Sequence, residues 1–93
     1  MSILQEIISA IFHFVGGKKS LEELAVTLDA AAAGASERLD WRHSIVDLLK
    51  LTNQDSSLDA RKRLAQELGY QGALDGSASM NIWLHQKVME RLR

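Results

Sequence analysis

The chain has 93 residues, no proline, no cysteine, 46% hydrophobic residues and a formal net charge of −1. A length just under the usual ~100–150 residues gives one domain, and the missing cysteine excludes a disulfide framework, a thiolate nucleophile and a thiolate metal site. The balanced charge argues against binding nucleic acid or acidic membranes through bulk charge, and no stretch approaches the ~18 apolar residues a membrane span needs.

Leucine and alanine dominate, and the Val/Ile/Thr alternation of strands is missing, so every element is expected to be helical. The first helix is SILQEIISAIFHFV, residues 2–15. Ile3, Leu4, Ile7, Ile8, Ile11 and Phe12 fill one half of its wheel, and Gln5, Glu6, Ser9 and His13 the other. Gly16-Gly17 ends it, followed by Lys18-Lys19. Ser20 with Glu23 three residues on is a capping box, opening a second helix that runs to about Gly34. Residues 21–40 carry five acidic side chains against Arg38 alone.

Asp40 is expected to cap a third helix, Trp41 to Leu51, whose wide apolar arc makes it the expected central helix. Thr52 to Asp55 read as a polar turn. Ser56 or Ser57 caps a fourth helix that stops at Gly69, with Tyr70 packing back beyond it. After a loose loop, Ser77 caps a fifth helix reaching the last residues, with Arg91 and Arg93 at its C-terminal end. The fold expected is thus a small all-α bundle of about five short helices without a sheet. Residues 1–17 form an amphipathic helix docked loosely on a compact domain of residues 18–93.

Five polar residues fall inside apolar arcs: Arg42, Asp47, Arg61, Asn81 and His85. A catalytic reading would gather the Asn, the His and the two Arg near Asp47 or Asp55. The structural reading is preferred, because a buried Arg at a helix junction usually pairs with a carboxylate or caps carbonyls. Asn81 and His85, four residues apart, can bridge to a loop. His13, His43 and His85 lie on separate helices with no metal-ligand spacing. No nucleophile elbow, Walker loop or dinucleotide fingerprint occurs. No cofactor, metal or catalytic residue is therefore assigned.

RKRLAQELGY resembles the opening of a repressor helix-turn-helix, but the eight residues Gly69–Gly76 exceed the three or four such a turn allows. The first helix is the better interaction candidate. Its apolar half, formed by Ile3, Leu4, Ile7, Ile8, Ile11 and Phe12, could pack on the core, meet another chain or lie on a membrane. Only Lys18 and Lys19 would serve the last role locally, and no basic stripe is visible along the chain.

Three segments, LDWRHSIVDLLKL, DSSLDARKRLAQELGYQG and SASMNIWLHQKVMERL, together resemble an uncharacterised bacterial family catalogued as a domain of unknown function. The shared positions include Trp41, Arg42, Asp47, Asp55, Arg61, Tyr70, Asn81, Trp83 and His85. The resemblance implies a small, mainly helical structure and carries no activity, cofactor or catalytic residue. The function expected is a cytoplasmic, non-enzymatic module that binds a protein partner or another copy of itself. The alternative is a nucleic-acid binder of helix-turn-helix type.

Overall fold

A computed structural model describes residues 2–93. Five helices follow in order: α1 (Ile3–Phe14), α2 (Leu21–Ala33), α3 (Ile45–Leu51), α4 (Leu58–Leu68) and α5 (Ala78–Leu92). Among the described residues there is no strand. Each helix begins at a serine whose hydroxyl accepts the N–H three residues on: Ser2, Ser20, Ser44, Ser57 and Ser77. In a chain without proline, these caps satisfy donors that would otherwise be orphaned at the helix starts.

Three helices close in the same way at their C-termini. The Gly17 N–H reaches back to Phe12 O, Gln54 to Leu49 O and Tyr70 to Ala65 O. The residue before each donor, Gly16, Asn53 or Gly69, is left-handed. Gly16 at φ +92 and Gly17 at φ +133 turn the chain sharply enough to bring Lys18 and Lys19 back beside α1.

The third helix is shorter than its apolar arc suggests. Trp41–His43 form a turn, and Ser44 rather than Asp40 is the cap. A local hydrogen bond from Ser44 N to Asp40 O closes that turn before the helix begins.

The principal packing is of α5 on α1, α3 and α4, of α1 on α4, and of α2 on α3. The central helix is therefore α5, not α3. It has 15 residues against seven in α3, and its Met80, Leu84, Val88 and Leu92 are 0–2% exposed. The Cα radius of gyration is 12.7 Å, close to the ~12 Å of a compact chain this long.

Expected as a loosely docked surface helix, α1 is instead built into the core. Leu4, Ile8, Ile11 and Val15 join one cluster with the buried residues of the other four helices. Leu4, Ile8 and Ile11, read from sequence as partner surface, are 5, 7 and 0% exposed. Ile3, Ile7 and Phe12 are partly buried against the same cluster. The physical reason is twofold: α4 and α5 cover the apolar half, and the Glu67 carboxylate of α4 holds the helix start.

Candidate functional site

The starts of α4 and α5 share one local design. Asp55-Ser56-Ser57 and Asp75-Gly76-Ser77 each fold so that the aspartate accepts the serine N–H two residues on, at 2.9 and 3.0 Å. Those backbone N–H groups hold both carboxyls below the usual carboxylate range. Arg61 ties the two turns together. Its Nε donates to Ser56 O at 3.1 Å and its Nη1 to Asn81 Oδ1 at 2.7 Å. The Asn81 amide then donates to Gly76 O at 3.3 Å. Arg61 and Asn81 thus form a latch between two helix starts, with the Asn81 oxygen already occupied.

A second network centres on Trp41, which is 2% exposed. Its Nε1 donates to Asp29 Oδ1 at 3.0 Å, and Arg42 Nη2 donates to Asp29 Oδ2 at 2.7 Å. The Arg42 guanidinium also lies 4.6 Å from the Trp41 ring centroid, a cation–π distance. Arg42 first and Trp41 second hold the Asp29 carboxyl below its ordinary range. Nε2 of His85, a buried side chain, lies 2.8 Å from Trp41 O. A carbonyl only accepts, so Nε2 carries the proton.

These contacts separate the residues that a catalytic reading would gather. Arg61 and Asn81 belong to the latch, while Arg42 and His85 belong to the Trp41 network. Asp47 accepts the Asp40 N–H at 2.8 Å, and its own N–H donates to Ser44. Arg42 is not buried, since its side chain is 51% exposed. The helical wheel misplaced it because it lies in the turn before α3. Among the described residues no group of three His, Cys, Asp or Glu is placed to hold a metal ion.

What remains open is the outer side of α5. Ile82, Gln86, Met89 and Arg93 are spaced i, i+4, i+7 and i+11, so they form one stripe. Ile82 is 57% exposed, one of the few large apolar side chains on the surface. Three of the stripe's members, Gln86, Met89 and Arg93, line a shallow groove of ≈520 Å³ together with Arg42, His85 and Glu90. Ile82 does not share the core arc of α5. A wheel drawn only on Met80, Leu84 and Val88 turns it more than 100° away. Leu58, the first residue of α4, is 39% exposed and covers Gly76 at the latch.

The fold and this surface define a small all-α domain with two internal polar crosslinks and an open helix face. The chain belongs to DUF3597, a domain of unknown function, whose family model matches residues 15–93. The solution structure of a conserved unknown protein from Rhodopseudomonas palustris is similar at 41% identity, with a TM-score of 0.70. The match covers 98% of this chain and 89% of that one. None of the curated proteins matches. The resemblance read from sequence is thereby confirmed, and nothing in either comparison points to catalysis. Among the described residues no helix is long and apolar enough to cross a membrane.

Proposed function

We propose that the chain is a cytoplasmic, non-catalytic helical module that works by self-association through the outer face of α5. The observation that carries this reading is the stripe Ile82–Gln86–Met89–Arg93, with Ile82 57% exposed one turn before the groove that Gln86, the partly buried Met89 and Arg93 line. The stripe is close to palindromic: apolar, amide, apolar. A two-fold axis through Gln86 sets Ile82 of one copy against Met89 of the other and pairs the two amides. The groove walls carry both signs, Arg42 and Arg93 with Glu90, so the surface complements itself. Closed two-fold pairing is the commonest symmetry of soluble oligomers. The cysteine-free core needs no oxidising compartment to fold.

Sedimentation equilibrium from micromolar to millimolar concentration tests it. Reversible dimerisation is expected, abolished by Ile82→Glu and by Met89→Glu and unchanged by Val26→Glu, a 70% exposed position on α2. A monomer at every concentration, or a dimer indifferent to Ile82→Glu, overturns it.

A further inference from the structure

An adjoining part of the surface, which shares Arg93 with the α5 groove, gathers positive charge from opposite ends of the sequence. Lys18 and Lys19, just beyond α1, meet Arg91 and Arg93 at the end of α5 around a hollow of ≈330 Å³. Gln5 and Ser9 of α1 complete its polar wall, and Phe12 with Ile8 and Leu92 forms its floor. No carboxylate side chain lines it. Among the described residues none of the four cations takes part in an ion pair, whereas Arg42, Lys50, Arg63 and Lys87 each do. Among the described residues their one side-chain hydrogen bond is a long one, from Arg91 Nη2 to Gln5 Oε1 at 3.4 Å.

Cations near helix C-termini are ordinary, because each helix end carries about −0.5 charge. The ends of α1 and α5 therefore account for about one of the four charges. Counting a chain-terminal carboxylate at Arg93 as well would still leave about two. That surplus matches a phosphate monoester, which carries about −1.5 to −2 at neutral pH. The volume falls at the small end of ligand sites, and the partly buried Phe12 offers an apolar surface for an organic group.

We propose that this hollow binds a phosphate monoester, its phosphoryl group held by Lys18, Lys19, Arg91 and Arg93 and its organic part resting on Phe12. Guanidinium groups suit the oxygens of such a group, and the ammonium groups add point charge. The monoester comes either from a soluble metabolite or from a lipid headgroup, and the two sources share this chemistry.

The test uses phenyl phosphate, inorganic phosphate and phosphatidylcholine vesicles with or without phosphatidic acid. Amide chemical shifts of the whole chain are followed by NMR at low salt. Phenyl phosphate is expected to saturate shifts in residues 5–19 and 91–93 and to bind at least tenfold more tightly than inorganic phosphate. Binding should tighten from pH 5 to pH 7.5 as the monoester becomes a dianion. Arg91→Gln and Lys19→Gln should each weaken it several-fold with melting unchanged, whereas Lys62→Gln on α4 should not weaken it. Binding to phosphatidic acid vesicles alone, lost in Arg91→Gln, supports the proposal with a lipid as the source. The proposal is overturned by failure of both phenyl phosphate and phosphatidic acid vesicles to bind saturably. Equal weakening by Lys62→Gln also overturns it.

Discussion

Glu67 on α4 accepts the backbone N–H of Leu4 at 3.0 Å through one carboxylate oxygen, while the other accepts Ile3 N at 2.6 Å. A side chain 63 positions away in sequence thus caps the first turn of α1. A carboxylate suits a helix N-terminus for two reasons: it satisfies orphan donors and opposes the positive end of the dipole. Glu67→Ala should therefore lower Tm by a few degrees and speed amide exchange in Ile3–Ile7 more than elsewhere. Glu67→Gln, which keeps an acceptor but no charge, should fall between. Hydrogen exchange localised to α1 is the discriminating measurement.

Acid should loosen the same contacts. The N–H groups of Leu4 and Ile3 hold the Glu67 carboxyl below its ordinary range, and Asp29, Asp55 and Asp75 are lowered in the same direction. A carboxyl whose folded pKa is depressed takes up its proton more readily in the unfolded chain. Its stabilisation is therefore present above the ordinary carboxylate range of ~4 and is lost as pH falls through the lower folded value. Urea midpoints are expected to be flat from pH 7 to about 5 and to fall steeply below about 4. Glu67→Gln should make the acid limb shallower.

The latch should behave as one unit. Asn81→Ala removes the acceptor of Arg61 and the donor to Gly76 O, leaving a half-buried guanidinium without its main partner. A cost of about 1–3 kcal/mol is expected. Arg61→Ala should cost a similar amount, and the double variant clearly less than the sum, because the partners share one network. Additive losses in urea titrations would show that the contact carries no coupling.

Gly76 stands at φ +72, where a Cβ would lie 2.5 Å from Leu58 Cδ1. Gly76→Ala combines left-handed strain with that clash, and a loss of about 1–2 kcal/mol is expected from the strain alone. Adding Leu58→Ala should relieve the clash but not the strain. The double variant is therefore expected to recover part of the lost Tm beyond the sum of the single changes.

Much of this fold can be read from the chain without coordinates. Serines 20, 57 and 77, the glycines at 16 and 69 and the three/four apolar spacing locate four of the five helices nearly to the residue. The start of α3 is masked because Asp40 is itself a good cap residue. The left-handed turn end at Asn53 is less legible because asparagine signals it less strongly than glycine. Polar residues within apolar arcs did mark the crosslinks at Arg61, Asn81 and His85, but their partners are backbone carbonyls and distant side chains that no local pattern encodes. The gathering of Lys18 and Lys19 with Arg91 and Arg93 is invisible for the same reason, since the fold alone brings the two ends of the chain together.

Because α1 packs chiefly on α4 and α5, the chain cannot finish its core in the order in which it is made. The first helix leaves the ribosome with Leu4, Ile8 and Ile11 uncovered, and their cover includes α5, which is made much later. At ordinary synthesis rates of 5–20 residues per second, the roughly 80 residues between the ends of these helices take about 4–16 s to add. For that interval the most apolar helix of the chain is a sticky nascent segment.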